Sequence, residues 1–447
     1  MLEKLADAIW QPWLLGLFLL AGLWFSIRSG FFQLFGLKTW WLGSVGGLRE
    51  MKAAGPGVLT RRQALATSLS STVGTGSIAG VAAAIYLGGP GAVLWMWVSA
   101  LLGLMTGFVE KALAVKYRHK TDTGWAGGPA YWLGCVLHRP LAARWFSLWC
   151  VLSALAGGAV VQSNSIAGAL NTAFGWNQAV VGLCTALAVG VVCLGGVSAV
   201  GRASEKLAPM MAVLFLGTGT LVIFLRLDRL PRALGDIWSG AFSPAALSGG
   251  MAEAALRYGV ARGVFTNEAG VGSSALAHAA ADSDSPLQEG FLGMFEVFFA
   301  TLVVCSVTAL AILTSGIYVP GNGLTGASLA AATFSSVLGP VGAGMLAAAV
   351  LLFAFTSLLG WCWYGEQSLG QLTGRTAFTP PYRLLYLFCI GLGSCWTVDR
   401  VWAVSDICTA AMAVVTIPAM VKLSPAVLRE LIQARKKPRR LRRGLRD

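Results

Sequence analysis

Long apolar runs recur along this chain, and they restrict the folds that it can adopt more than any other feature. Many of them approach the roughly 20 apolar residues that a helix needs to cross the hydrocarbon core of a bilayer. Only 12% of the 447 residues are charged, whereas soluble domains contain about 25% charged residues. The sequence therefore predicts an all-α polytopic membrane protein.

Hydropathy divides the chain into about eleven transmembrane spans. The segment between the first two spans mixes aromatic residues with spaced cations, which is typical of an interfacial helix. The predicted spans are residues 11–28, 63–86, 91–115, 144–169, 177–198, 207–226, 252–280, 290–315, 341–370, 382–397 and 400–421. The predicted organisation is an N-terminal helix with an interfacial segment (1–62), a first five-helix repeat (63–226), a second five-helix repeat with its preceding external loop (227–421), and a basic cytoplasmic tail (422–447).

The distribution of the cations predicts an orientation in the membrane. Of the 33 Lys and Arg residues, 26 fall in segments predicted on one side and five on the other. Cytoplasmic segments are enriched in Lys and Arg. We therefore predict a multi-pass protein of the cell inner membrane with a cytoplasmic C-terminus and, because the number of spans is odd, an external N-terminus. The basic tail is expected to contact anionic lipid and not nucleic acid.

Two spans are interrupted by glycines and polar residues. The second span contains "STVGTGSIAG" (71–80), and the seventh contains "RGVFTNEAGVGSSALAHAA" (262–280). Four ordinary spans separate the two, so each begins a block of five helices, and the second block enters the membrane in the opposite sense. Matching interruptions in two halves indicate an inverted-repeat transporter with a binding site near the membrane midplane.

A break at Gly74 and Gly76 would leave backbone groups without helical partners. The freed N–H groups favour an anion such as a carboxylate, and the freed carbonyl groups favour a small cation. The alternative is helix packing, since residues 76–80 form a GxxxG pattern. The matching break in the seventh span favours the binding interpretation. A phosphate-binding loop is disfavoured, because no strand precedes these glycines.

Ionisable residues inside a span are functional candidates. Glu268 could accept N–H groups at the second break, carry a proton, or pair with Arg262 or Arg257. A structural ion pair is the alternative. Asp406 in the last span is a further candidate for gating or ion pairing, although we interpret both it and Glu110 as structural by default.

Uncharged polar side chains also interrupt the apolar spans. Thr356 and Ser357 either bond to carbonyl groups one turn earlier or provide oxygen ligands for a sodium ion shared with the broken second span. Trp361, one turn beyond Ser357, could form a wall of the same cavity. Gln162 either bonds to a neighbouring helix or lines the cavity.

The segments "STVGTGSIAGVAAAIYLGGPGAVLWMW", "FTNEAGVGSSALAHAAA" and "FAFTSLLGWCWYGE" together resemble the alanine/glycine:cation symporter family of the amino acid–polyamine–cation superfamily. "KYRHKTDTGWAGGPAYWL" and "GRASEKLAPMMA" extend this resemblance, which covers residues 15 to 420 approximately. It implies a LeuT-type core of two inverted five-helix repeats preceded by one extra helix. It also implies uptake of alanine or glycine coupled to sodium or, in some members, to protons.

The resemblance also implies site residues. Asn267 would lie near the substrate's amino group, Phe265 would form a lid or wall, and Trp361 would close the pocket. The implied substrate-binding residues are Thr72, Gly74, Thr75, Gly76, Ser77, Gln162, Phe265, Thr266, Asn267 and Trp361, and the implied sodium ligands are the carbonyl groups of Ser70 and Val73 with the hydroxyl groups of Thr356 and Ser357. The chain departs from the family at Ser77, where relatives usually have asparagine, and this weakens the case for a second cation site.

Other functions remain as alternatives. A transporter of the same fold with another small zwitterionic substrate is the nearest one. An ion channel could use the same glycines and hydroxyl groups, but it would normally be an oligomer with a filter on its axis. An enzyme is not expected, because His278 has no evident nucleophilic partner. We expect no cofactor, sodium as the coupling ion with a proton as the alternative, and a monomer or weak homo-oligomer.

Overall fold

Apolar residues with good helix propensity fill most of the chain, and helices dominate the computed structural model, which describes residues 8–44, 58–121, 124–242, 250–320, 323–396 and 398–436. The helices in chain order are α1 (Pro12–Ser29), α2 (Phe32–Phe35), α3 (Leu37–Ser44), α4 (Arg61–Thr72), α5 (Ala79–Gly88), α6 (Ala92–Lys116), α7 (Pro129–Tyr131), α8 (Pro140–Phe174), α9 (Gln178–Leu194), α10 (Gly196–Leu225), α11 (Leu230–Phe242), α12 (Met251–Asn267), α13 (Ala275–Ala279), α14 (Pro286–Ser315), α15 (Gly326–Thr373), α16 (Thr379–Gly393) and α17 (Val398–Lys436).

Seven of the helices in the described ranges are long and apolar enough to cross a membrane, namely α1, α6, α8, α10, α14, α15 and α17. The bent pair α4–α5 brings this number to eight if it is one span. The other predicted spans correspond to the shorter α9 and α16 and to the more polar pair α12–α13. The total of eleven spans therefore stays a prediction.

Several helices extend beyond the predicted spans. α15 begins at Gly326 and bends at Gly339, where φ is +64° and Pro340 follows. Glycine adopts this left-handed conformation at little cost, and proline removes a backbone donor. α17 continues to Lys436, so residues 422–436 of the predicted tail are helical. Residues 45–57 of the predicted interfacial segment and 437–447 of the tail lie outside the described residues.

The two interrupted spans are broken helices. α4 and α5 are inclined by 54° around a break, within which Thr75–Ser77 forms a short 3₁₀ turn. α12 ends at Asn267, and α13 begins only at Ala275. Between them, Gly270 and Gly272 have φ values of +95° and +97°, which favour glycine.

Close helix packing places these breaks in the protein interior. α6 packs against α12 and α14, and α8 packs against α15 and α17. The α6–α14 contact depends on glycines, because a Cβ atom on Gly107 would lie 2.8 Å from the carbonyl oxygen of Gly293. Both α8 and α14 contain a π-helical stretch, Ala154–Val161 and Phe298–Cys305.

A small two-stranded element follows α6. The strands β1 (His119–Thr121) and β2 (Gly124–Ala126) pair antiparallel, with His119 opposite Ala126. An isolated parallel bridge joins Leu59, just before α4, to Ala281, just after α13. This bridge holds the start of the first broken helix against the end of the second.

We expect Gly158→Ala to lower the free energy of unfolding by about 1–3 kcal/mol, because overpacking forces neighbouring groups to shift. A Cβ atom there would lie 2.5 Å from Trp361 Cβ across the α8–α15 contact. The measurement is thermal melting in detergent. Gly168→Ala is the matched control on the same helix, with no atom within 4 Å of the added Cβ, and it should melt at or slightly above the wild-type temperature. Equal melting of the two variants would contradict this packing.

Candidate functional site

A buried cavity lies between the two helix breaks, and residues from both breaks line it. Helices α8, α15 and α17 complete its wall. Seven of the residues singled out from the sequence line it: Thr72, Gly74, Gly76, Gln162, Phe265, Glu268 and Trp361. Ser71, from the interrupted segment 71–80, also lines it, and sequence reasoning missed Ser153, Gly157, Val271, Ser405 and Thr409. The cavity wall thus combines glycines, hydroxyl groups and one carboxylate with aromatic rings.

Gln162 satisfies the backbone of the first break. It follows the π-helical stretch of α8, and its Oε1 atom accepts hydrogen bonds from the Thr75 backbone N–H at 3.3 Å and the Thr75 hydroxyl at 3.1 Å. A Cβ atom on Gly74 would lie 3.2 Å from this amide and 2.8 Å from Ser357 Oγ. A larger residue at 74 would displace one of these side chains, because α8 and α15 both approach the backbone there.

The adjacent hydroxyl groups of Thr356 and Ser357 on α15 donate to carbonyl groups of different helices. Ser357 donates a hydrogen bond to the Ser70 carbonyl oxygen at 2.7 Å, across 287 residues of sequence. Thr356 donates to the carbonyl groups of Leu352 and Phe353 on its own helix, at 2.9 and 3.1 Å. The structure thus brings Ser357 to the end of α4, where Val73 is the C-terminal cap. The Phe353 carbonyl group is an additional acceptor that the sequence did not reveal.

The second break holds Glu268 at the cavity. Glu268 has a left-handed backbone, with φ +50°, and accepts a hydrogen bond from the Ser273 hydroxyl at 2.5 Å. Asn267 instead accepts from the Ala269 N–H at 3.0 Å, and Thr266 donates to the Gly263 carbonyl at 2.9 Å. Four residues predicted to bind substrate, Thr75, Ser77, Thr266 and Asn267, do not line the cavity.

Arg262 and Asp406 form a bidentate ion pair beside the cavity, with both N–O distances at 3.2 Å. Of the suggested partners of Glu268, Arg262 pairs with Asp406 instead, and Glu268 forms no ion pair with the described residues, Arg257 included. The Arg262 guanidinium lies 5.1 Å from the centre of the Trp402 ring, which packs at 5.1 Å against Phe265. The ion pair and the two rings form one layer of contacts beside the cavity.

Glu110 satisfies the backbone of the second break. Its carboxylate on α6 accepts from the Gly270 N–H at 2.6 Å and the Ser274 hydroxyl at 3.1 Å, and it lies 3.2 Å from Lys111 Nζ. Its side chain is fully buried. The sequence interpretation of Glu110 as structural agrees with these contacts.

Broken helices that meet at a buried polar cavity are the arrangement that secondary transporters use for substrate and coupling ion. Solved structures of transporters share the overall fold of this protein. The structure of MhsT in complex with L-phenylalanine superposes with a TM-score of 0.62 at 15% identity, covering 84% of this chain and 90% of that chain. A Na+-coupled sialic acid symporter superposes with a TM-score of 0.53 at 14% identity, over 94% and 87% of the two chains.

Comparison of sequences defines the family. The model of the sodium:alanine symporter family matches residues 1–443, and the chain belongs to that family. The sodium/alanine symporter AgcS of Methanococcus maripaludis is 36% identical over 94% of each chain. The probable sodium/glutamine symporter GlnT of Bacillus subtilis is 38% identical over 95% of this chain and 88% of its own. The protein is therefore a multi-pass membrane transporter with a LeuT-type fold and not an enzyme.

We expect Glu110→Ala to destabilise the protein by about 3–5 kcal/mol, because it leaves Lys111 and the second break without a buried partner. Thermal melting of the purified protein measures this change. Glu205→Ala is the control, since Glu205 is only partly buried and accepts one hydrogen bond, from Gln63 at 3.3 Å. It should cost about 1 kcal/mol or less. A Glu110→Ala protein that melts like this control would show that Glu110 does not support the break.

Proposed function

We propose that this protein is a sodium-coupled symporter that carries alanine, glycine or a similar small neutral amino acid by alternating access. The observation that carries the proposal is the convergence of Gln162 and Ser357 on the first break at Gly74. The family and the relative named as a sodium/alanine symporter support it. The proposal includes eleven spans in two inverted five-helix repeats, the cell inner membrane, an external N-terminus, a cytoplasmic C-terminus, and a monomer or weak homo-oligomer.

In this proposal the first break receives the substrate carboxylate. The segment 74–77 comes just before α5, whose N-terminal end favours an anion through the helix dipole. The Thr75 N–H would exchange its bond to Gln162 for one to the carboxylate. The ammonium group would face the carbonyl groups of the second break and the carboxylate of Glu268. Asn267 would act by shaping that break through its bond to the Ala269 N–H.

The proposed preference for small side chains rests on the aromatic wall. A Cβ atom on Gly76 would lie 3.0 Å from the Phe265 ring, and Trp361 packs against Gly158 on another side of the cavity. These rings restrict the space beside the substrate's α-carbon. Glutamine is the second candidate, because GlnT is a relative of similar identity.

Sodium would bind between α4 and α15. Its proposed ligands are the carbonyl oxygens of Ser70 and Val73 with the hydroxyl groups of Thr356 and Ser357, and the Phe353 carbonyl lies beside Thr356. Oxygen atoms are the preferred ligands of hard cations. Ion and amino acid would then share one segment, 70–77. Each would order this segment for the other, which is a coupling free energy between two sites.

Alternating access needs a closure on each side of the cavity. The Arg262–Asp406 pair with Phe265 and Trp402 would close the external side. The Leu59–Ala281 bridge would close the cytoplasmic side. Helices α4, α5, α6 and α12–α14 would move against the remainder.

The first test is uptake of labelled alanine into proteoliposomes. We expect saturable uptake that rises several-fold with an inward sodium gradient, with competition by glycine stronger than by glutamine. Stronger competition by glutamine would favour the second candidate. Flux without saturation would favour a channel. Equal uptake with and without both sodium and proton gradients would contradict symport.

The second test concerns the sodium ligands. We expect Ser357→Ala to raise the sodium concentration for half-maximal uptake about 10- to 100-fold, because a bond to a charged group contributes about 1.5–3 kcal/mol. Ser336→Ala is the control, since this exposed hydroxyl lies on the first half of the same helix and bonds only to the Thr333 carbonyl group. Wild-type sodium dependence in both variants would remove Ser357 from the ion site.

A further inference from the structure

A series of alternating charged groups lies in the interior. It is on the side of the second break that faces away from Arg262. At its centre His278 contacts a carboxylate on each ring nitrogen, with Nδ1 2.6 Å from Glu289 and Nε2 2.7 Å from Glu296. All three side chains have at most 1% exposure. In order of contact, the members of this series are Arg61, Glu289, His278, Glu296, Lys111 and Glu110. None of these ion pairs lines the cavity.

The contacts of His278 fix a minimum number of protons. A neutral imidazole has one N–H group and one lone pair. A carboxylate oxygen lies within 2.7 Å of each ring nitrogen. An unprotonated ring nitrogen would therefore direct its lone pair at a lone pair of the carboxylate oxygen, unless that oxygen carries a proton. The triad Glu289–His278–Glu296 therefore holds at least two protons between its three groups, and with two it carries a net charge of −1.

The flanking cations balance this charge. Arg61 Nε lies 3.2 Å from Glu289 and Lys111 Nζ lies 3.6 Å from Glu296. With Glu110 included, the six groups sum to zero when the triad holds two protons. Burial of a net charge is strongly unfavourable. Two protons on the triad therefore leave the buried groups neutral only while Arg61 remains in place.

Arg61 is the least buried member of this series of charged groups. Its side chain retains 13% exposure, and it lies in the first turn of α4, whose opposite end provides Ser70 and Val73. In the alternating access proposed above, the start of α4 would separate from Glu289 and Ala281 when this side of the cavity opens. When Arg61 leaves, the remaining five groups carry −1.

The triad also adjoins the cavity through α4. Ser68 on α4 lies next to Glu296, and Tyr364 on α15 lies next to Ser68 and Ser71. The Oγ atom of Ser68, the Oη atom of Tyr364 and Oε2 of Glu296 are buried but are not in hydrogen-bond geometry with any described residue. Ser71 itself lines the cavity. A displacement of α4 would therefore change the surroundings of both the triad and the cavity.

We propose that the Glu289–His278–Glu296 triad is a proton-binding site that takes up a third proton when Arg61 separates from Glu289. The proton comes from the solution at the Arg61 end, and its O–H bond forms on Glu289. Lower pH on that side then favours the state with α4 displaced. The other charged or titratable groups that face this region are Glu110, Lys111, Glu268, Tyr364, Arg118, Asp282 and Asp284. The proposal rests on the alternating-access transport proposed above.

The first test needs no substrate. Infrared spectra of the full chain in lipid, recorded across a pH titration, report the carbonyl band of protonated carboxyl groups. We expect Arg61→Gln to add such a band near neutral pH, and Arg61→Gln with Glu289→Gln to remove it. Arg62→Gln is the matched control and should resemble the wild type. An Arg61→Gln spectrum identical to the wild type would overturn the proposal.

The second test separates this proposal from the transport function. Sodium and alanine are added to the full chain in weakly buffered detergent, and a pH indicator reports proton release while dialysis reports bound alanine. We expect the wild type and Glu205→Gln to release about one proton on binding, because closure of α4 restores the Arg61–Glu289 pair, and Glu289→Gln to release none. Alanine binding without proton release in the wild type would overturn the proton site. Absence of alanine binding would overturn the transport proposal instead, and the infrared result would then decide the proton site alone.

Discussion

The need to satisfy backbone groups inside the membrane determines the arrangement of this protein. An N–H or carbonyl group without a partner in an apolar interior costs several kcal/mol. Each helix break therefore needs a polar side chain from another helix. Gln162 on α8 meets the Thr75 N–H at the first break, and Glu110 on α6 meets the Gly270 N–H at the second. These two contacts fix α6 and α8 relative to the breaks.

Close approach of the helices follows from the same need. A glutamine or glutamate side chain reaches only a few ångströms, so the helix that carries it must lie almost against the broken one. Glycines make that approach possible. Gly74 admits Gln162 and Ser357 to the backbone, and Gly107 and Gly293 bring α6 and α14 into backbone contact. The high glycine content thus serves packing as well as the breaks, and the two uses cannot be separated from composition alone.

Hydropathy and glycine patterns were sufficient to predict both breaks, whereas for Gln162 and Ser357 they left two alternatives each, and only the family resemblance implied that both lie at the site. They could not predict the Arg262–Asp406 pair, because its members are 144 residues apart in sequence. They also missed Ser405 and Thr409, since a single hydroxyl group in an apolar helix has the same signature whether it bonds to its own backbone or faces a cavity. The ends of α15 and α17 were misplaced because hydropathy detects the apolar part of a helix, while backbone hydrogen bonding continues into its polar turns.

The two breaks differ in charge, and this difference bears on what the cavity can hold. The residues of the first break that line the cavity are uncharged, and the break lies at the N-terminal end of α5, where the helix dipole supplies partial positive charge. The second break contributes Glu268, which forms no ion pair with the described residues. A monovalent cation alone would be held by the second break, and an anion alone by the first. A zwitterion would satisfy both with its carboxylate towards the 74–77 segment and its ammonium group towards Glu268, so the electrostatic asymmetry of the cavity supports the proposed amino-acid substrate in the orientation proposed for it.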